Sequence, residues 1–138
     1  MGKKQRFTLN LNIRFGDLDA LGHVNNATYF VYMEEARKEF FGRLFNISTP
    51  QDFPFVLARI SCDFRKSIEF TTKTVAQDIW ITHIGRKSFT FQYEIYQADD
   101  PACIFAGGES VQVFYDHKSG QTKLIPDSFR QAVENFTV

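Results

Sequence analysis

The chain has 138 residues, in which sixteen basic residues balance sixteen acidic ones and sixteen are Phe. This length suits a single domain spanning residues 1–138, and the balanced charge argues against nucleic-acid binding, which needs a positive face. The sequence contains neither the run of about 18 apolar residues that spans a membrane nor the apolar stretch of a secretory signal, so we expect a cytoplasmic protein with no membrane partner.

The first predicted elements are a strand, a loop and a long helix. Apolar and polar residues alternate from Arg6 to Phe15, which predicts a half-buried strand. Residues 16–26 are too rich in Gly, Asp and Asn to continue that strand, and they predict a loop. A helix is predicted from Asn26 to about Phe45, capped by Asn25 or Asn26, because an apolar stripe recurs at steps of three and four. The stripe consists of Tyr29, Met33, Ala36, Phe40 and Leu44.

The rest of the chain predicts four strands and a short helix near its end. Strand patterns cover residues 55–70, 74–84, 88–97 and 102–115, and the short helix is predicted over residues 126–136. Further Phe residues on the long helix indicate that a sheet encloses it. Strands that are separate from the helix predict an α+β domain whose antiparallel sheet wraps around that helix.

One run of residues resembles a known family. Residues 14–29 read RFGDLDALGHVNNATY, and this run resembles the signature of the 4-hydroxybenzoyl-CoA thioesterase family of hotdog-fold proteins. The resemblance continues through YMEEAR at residues 32–37, and more loosely through DFRKSI at residues 63–68 and IGRKSF at residues 84–89. The family often has Pro where this chain has Ser67. The resemblance spans nearly the whole chain, and the first run is its specific part.

The resemblance implies a fold, an assembly and an activity. It implies a five-stranded antiparallel sheet wrapped around one long central helix, with homodimers formed by joining two sheets edge to edge, or dimers of such dimers. It also implies hydrolysis of an acyl-CoA or acyl-carrier-protein thioester with neither a metal nor an organic cofactor. Cys62 and Cys103 lack the close spacing of zinc ligands, which agrees with that expectation. The family's catalytic carboxylate maps onto Asp17.

Thioester hydrolysis needs a group that attacks the carbonyl carbon and donors that stabilise negative charge on the carbonyl oxygen. Asp17 can attack directly or act as a general base on water, and the sequence leaves both routes open. Backbone N–H groups near Val24, Asn25 and Asn26 lack helical acceptors, so they are predicted to polarise the carbonyl with help from the helix dipole. His23 is predicted to make a structural or substrate-orienting hydrogen bond.

Other charged residues receive separate predictions. Asp19 is predicted to be a turn acid that bonds its own backbone, and Glu34 is predicted to pair with Arg37 along the helix. Four basic residues are candidates to contact the phosphates of coenzyme A, although solvated strand ends are an alternative for them. These four are Arg65, Lys66, Arg86 and Lys87.

Two other functions remain open beside a thioesterase. A hotdog protein can retain its pocket and hold an acyl-CoA without turnover, because a fold does not determine a function. A hydratase or dehydratase of acyl thioesters ranks lower, because such enzymes pair a catalytic His with an acid on the helix side and no equivalent pair is evident in this sequence.

Overall fold

The structure, a computed structural model, describes residues 6–47, 49 and 52–136. Two short 3₁₀ turns lie at Phe15–Asp17 and Phe70–Thr72. The strands are β1 (Phe7–Asn12), β2 (Phe55–Phe64), β3 (Thr74–Ile84), β4 (Ser88–Gln97), β5 (Asp100–Asp116) and β6 (Gln121–Thr122), and the helices are α1 (Asn26–Phe45) and α2 (Asp127–Asn135). Neither α1 nor α2, the helices within those described ranges, is both long and apolar enough to cross a bilayer.

The strands form one antiparallel sheet in the order β1-β3-β4-β5-β2, with the two-residue β6 added to β5. β1 pairs with β3, and β2 pairs with β5, so these two strands lie at opposite edges of the sheet. Because α1 stands between them in the chain, it crosses one face of the sheet from edge to edge. The expected α+β hotdog arrangement, five antiparallel strands around one long helix, is confirmed.

The sheet face that meets α1 is identified by alternation along the strands. In β4 every second side chain is buried and its neighbours are half-buried, which is the period of two expected for a strand with one covered face. These buried side chains pack against Met33, Ala36 and Phe40 of the α1 stripe or extend the core beside them. They are Phe89, Phe91, Tyr93 and Ile95.

Two predicted strands end earlier in the structure than in the sequence prediction. β1 stops at Asn12 because Ile13 donates instead to the Lys73 carbonyl at 2.7 Å and the chain then enters a 3₁₀ turn. β2 stops at Phe64 because the N–H groups of Arg65 and Lys66 both donate to one carbonyl, that of Phe105, at 2.8 and 3.1 Å. The predicted long helix and the strands over residues 74–84 and 88–97 are confirmed at their predicted bounds.

Candidate functional site

The loop between β1 and α1 folds back on itself and sets the first turn of the helix beside Asp17. Leu18 bridges to Val24, and the Asp19 N–H donates to the His23 carbonyl at 2.7 Å. Asp19 accepts from the N–H groups of Leu21 and His23 through its carboxylate, which confirms its turn role. Gly22 has φ +80°, a conformation that favours glycine because it has no Cβ.

The Asn25 side chain caps α1. Its Oδ1 accepts from the Ala27 N–H at 2.9 Å, which satisfies one of the donors left free at a helix start and confirms the predicted cap. The Asn25 N–H donates to the Asp17 carbonyl at 2.9 Å. The backbone of Asp17 is therefore held directly against the start of the helix.

Three donors surround the Asp17 carboxylate, and the residue is only 3% exposed. The Tyr32 hydroxyl of α1 donates to Oδ2 at 2.8 Å, and the Arg14 N–H donates to the same oxygen at 3.0 Å. The Arg14 guanidinium donates to Oδ1 at 3.2 Å from a side chain that is 73% exposed. Among the described residues, Oδ2 therefore accepts from a backbone N–H and a buried phenol, and Oδ1 accepts from one largely solvated guanidinium.

These contacts decide the charge of Asp17. Burial alone raises the pKa of a carboxyl group, but the Arg14 N–H, the Tyr32 hydroxyl and the Arg14 guanidinium together outweigh it, so the pKa of Asp17 lies below its ordinary value of 3.8. Burial, the Asp17 hydrogen bond and the Asp17 charge raise the pKa of Tyr32 well above its ordinary range. At neutral pH the pair is therefore a carboxylate and a neutral phenol that donates to it.

Two of the helix-start amides that are predicted to polarise a carbonyl already have acceptors. The Val24 N–H donates to the Ile68 carbonyl at 2.8 Å, and the Asn25 N–H donates to Asp17. For these two the expectation of free donors is wrong, because the loop packs against residues 68–69 and against Asp17. Among the residues that the structure describes, none accepts from the Asn26 N–H. Asn26 is exposed at the first helical position.

A pocket of about 170 Å³ opens beside the helix start. It joins three of the predicted substrate-positioning residues, His23, Val24 and Asn26, to Arg65 and Lys66. Tyr29 and Phe64 supply its aromatic wall, with ring centroids 5.0 Å apart in an edge-to-face pair. The structure therefore places two of the predicted phosphate contacts beside Asn26, whose N–H is the predicted donor that has no acceptor among the described residues.

Arg86 and Lys87 lie elsewhere in the subunit. They form the turn between β3 and β4, where the Arg86 carbonyl accepts from Ile125 and the Lys87 ammonium donates to Thr122. The pocket lies toward the opposite ends of these strands, and the 11 residues of β3 separate its two ends by roughly 30 Å. Within a single subunit, about one strand length therefore separates Arg86 and Lys87 from Arg65 and Lys66, and a contact between coenzyme A phosphates and any of the four stays a prediction.

The predicted ion pair between Glu34 and Arg37 is also wrong. Glu34 and Glu35 are paired instead with Lys38, each at 3.8 Å. Arg37 is buried against the sheet, where its guanidinium donates to the Tyr93 hydroxyl at 3.1 Å. The helix rotates Arg37 toward the core because it shares a face with Met33 and Phe40.

Tyr32 and Arg14 are the site residues that sequence reasoning missed. Arg14 belongs to the family-like run without an assigned role, and Tyr32 lies outside the predicted apolar stripe. A signal for Tyr32 exists, since it lies three residues after Tyr29 and four before Ala36, and a phenol on a buried helix face requires a hydrogen-bond acceptor. Within the described part of the chain, no three His, Cys, Asp or Glu side chains group closely enough to hold a metal ion.

Known structures share this fold. A predicted thioesterase from Bacillus stearothermophilus is 28% identical, with a TM-score of 0.85 over 94% of this chain and 95% of that one. A thioesterase from Thermus thermophilus, solved with coenzyme A and Zn, is 29% identical, with a TM-score of 0.78 over 91% and 95% of the two chains.

Sequence comparison identifies a relative and a matching family model. The uncharacterized protein YsmA of Bacillus subtilis is 27% identical over 107 residues, which cover 78% of this chain and 72% of that protein. Residues 13–133, which contain the loop, α1 and every strand after β1, match the Thioesterase-like superfamily. The chain therefore belongs to the Thioesterase-like superfamily.

Proposed function

We propose that this protein is an acyl-CoA thioesterase of the 4-hydroxybenzoyl-CoA thioesterase type, formed as one hotdog domain over residues 1–138, in which Asp17 drives hydrolysis. The observation that carries the proposal is an ionised, buried carboxylate held against the first turn of the long helix. Membership in the Thioesterase-like superfamily supports thioester hydrolysis as the reaction.

Two routes lead to the same products. In the first, an Asp17 oxygen bonds to the carbonyl carbon, the C–S bond breaks, and water then cleaves the resulting mixed anhydride and restores the carboxylate. In the second, water bonds to the carbonyl carbon while Asp17 accepts its proton and passes it to the leaving thiolate. Either route consumes one water and yields a free acid and a free thiol.

The Asn26 N–H is the donor that we assign to the carbonyl oxygen. It lies at the positive end of the α1 dipole, and the residue Asn26 lines the pocket beside His23 and Val24. A backbone donor in this position is worth about 3–4 kcal/mol to a developing oxyanion. The Val24 and Asn25 amides hold the loop in place and contribute indirectly.

Arg65 and Lys66 are assigned to the phosphates of the coenzyme A portion. Both residues line the same pocket as Asn26. The coenzyme A portion of a thioester bound at Asn26 would therefore extend past them toward solvent. The coenzyme A complex of the related Thermus thermophilus thioesterase supports this class of substrate. Arg86 and Lys87 can contribute only where a second subunit brings its own turn near the pocket.

The experiment that tests the proposal measures thiol release from short, long and aromatic acyl-CoAs by wild type and Asp17→Asn. We expect wild type to hydrolyse at least one member and Asp17→Asn to lose about a thousandfold in kcat while remaining folded. Asp78→Asn is a matched control, because Asp78 also accepts a Tyr hydroxyl at 2.8 Å but lies on the sheet face away from α1.

The other outcomes discriminate between the alternatives. Thermal stabilisation by acyl-CoAs without thiol release would indicate the binding module. Consumption of an enoyl-CoA without thiol release would indicate the hydratase. Undiminished hydrolysis by folded Asp17→Asn would contradict the assignment of Asp17 and leave the thioesterase activity intact.

A further inference from the structure

Building on the proposed role of Asp17, we infer that Tyr32 is a positioning residue that fixes Oδ2 of the carboxylate and leaves Oδ1 as the oxygen that reacts. No feature of the sequence motif assigns this role. It follows from the unequal way in which the two carboxylate oxygens are held.

The Oδ2 side of the carboxylate is rigid. The Tyr32 hydroxyl and the Arg14 N–H reach Oδ2 at 2.8 and 3.0 Å, and both donors belong to ordered backbone elements, α1 and the start of a 3₁₀ turn. An oxygen that accepts two short hydrogen bonds has little remaining capacity to bond carbon or accept a proton. Oδ2 therefore serves as the anchor of the side chain.

The Oδ1 side is available by comparison. Among the described residues, its one hydrogen-bond donor is the Arg14 guanidinium at 3.2 Å, whose side chain is 73% exposed. The Asp17 half of this ion pair is buried, but the Arg14 guanidinium is largely solvated and can turn into water, so Arg14 can move aside when a thioester approaches. Movement of Arg14 would uncover Oδ1 without disturbing either donor on Oδ2.

Tyr32 is itself held in place from the sheet. The buried Gln77 side chain of β3 donates from Nε2 to the Tyr32 carbonyl at 2.9 Å, which ties that turn of α1 to the sheet. The Tyr32 ring packs in a cluster with Val75, Ile95 and Ile68. Because Tyr32 is held through both its backbone and its ring, its hydroxyl can fix the orientation of the Asp17 carboxylate. A nucleophile or general base must be oriented in this way to react efficiently.

The test compares wild type with Tyr32→Phe, which removes only the hydroxyl. We expect kcat to fall about tenfold, with KM changing less than about twofold, because the carboxylate loses its orientation and substrate contacts remain. Because the hydroxyl lowers the pKa of Asp17, its removal should move the acid limb of the kcat profile to higher pH. The same shift should appear in a ¹³C NMR titration of the Asp17 carboxyl, which needs no substrate.

Tyr96→Phe is the matched control. Tyr96 also donates to an aspartate at 2.8 Å, but its acceptor, Asp78, lies on the sheet face away from the site. We expect wild-type kcat, KM and Asp17 titration in this variant. If Tyr32→Phe fails to fold, 3-fluorotyrosine at position 32 retains the ring and strengthens the donor, so the Asp17 titration should move to lower pH instead.

A folded Tyr32→Phe protein with wild-type kcat, or with an unmoved Asp17 titration, would overturn the inference. The failure of the proposed function is a separate result, because it would appear as a wild-type protein that releases no thiol. The NMR titration would still report on the Tyr32 contact in that case.

Discussion

Asp17 shows how the environment of one residue combines burial with ionisation. A buried carboxyl group is normally driven toward its neutral form, yet the pKa of Asp17 is lowered because donors from Arg14 and Tyr32 stabilise the anion. A lowered pKa stabilises the folded state above the ordinary value of 3.8, and this contribution is lost as the pH falls through the folded-state pKa. The site is therefore ready for base or nucleophilic chemistry throughout the neutral range.

At the same scale, two adjacent glycines of β5 have different neighbours. A Cβ on Gly108 would clash with the end of Met33 in α1 and meet the Ser61 carbonyl at 2.9 Å. A Cβ on Gly107 would meet only the Tyr93 carbonyl, at 3.8 Å. Gly108 therefore permits the close approach of the helix to the sheet.

We expect Gly108→Ala to lower the free energy of unfolding by about 1–3 kcal/mol, because the Ser61 backbone cannot move aside as a flexible side chain could. Gly107→Ala should change it by less than about 0.5 kcal/mol. Urea unfolding of both variants checks the contrast. Equal losses of unfolding free energy in the two variants would show that a Cβ at position 108 is not obstructed by Met33 and the Ser61 carbonyl.

At the scale of elements, α2 closes one end of the core through a single aromatic anchor. Phe129 is 1% exposed, and its ring centroid lies 4.9 Å from that of Phe89 and 5.0 Å from that of Phe114. Phe45, near the end of α1, stacks on the same ring at 5.6 Å. Several of the sixteen Phe residues thus pack together where α1, α2 and the sheet meet.

Truncation of the Phe129 side chain should lower the stability of the fold. We expect Phe129→Ala to reduce the free energy of unfolding by about 3–5 kcal/mol, because it removes a buried ring and leaves a cavity. Phe70→Ala, at a residue that is 45% exposed, should cost less than about 1 kcal/mol. Thermal unfolding measures both, and a small loss in Phe129→Ala would mean that α2 is only loosely docked.

Element boundaries were largely predictable from the sequence. The local signals are the apolar stripe of α1, its Asn25 cap and the alternation of apolar and polar residues in β3 and β4. Each of these elements forms at its predicted position. The early ends of β1 and β2 were not predictable, because they depend on hydrogen bonds to Lys73 and Phe105, which lie far along the chain.

At the scale of the whole molecule, β2 forms one edge of the sheet. Among the residues that the structure describes, β2 pairs only with β5, and its Leu57 and Phe64 are 44% and 43% exposed. An exposed edge with apolar side chains is a template for pairing with another chain. This feature supports the proposed homodimer, in which two sheets join through β2, and says nothing about a further pairing of dimers.

We expect sedimentation to give at least twice the subunit mass of 16.0 kDa, in a multiple of two subunits. Leu57→Asp should raise the dimer dissociation constant at least about tenfold, because it replaces an apolar contact with a charge close to its own copy. Asn10→Asp, an exposed position on the opposite edge strand β1, should leave the dimer intact. Dissociation by Asn10→Asp alone would place the interface on β1 instead.

The sequence by itself determined the α+β class, the order of helix and strands, and the turn role of Asp19. These follow from periodicity and from a loop short enough to constrain its own residues. Only the tertiary structure decided that Tyr32 holds Asp17, that Arg37 is buried, and that Arg65 and Arg86 lie at different ends of the sheet. Those facts depend on helix rotation and strand register, because residues distant in sequence become neighbours only when the sheet closes around α1.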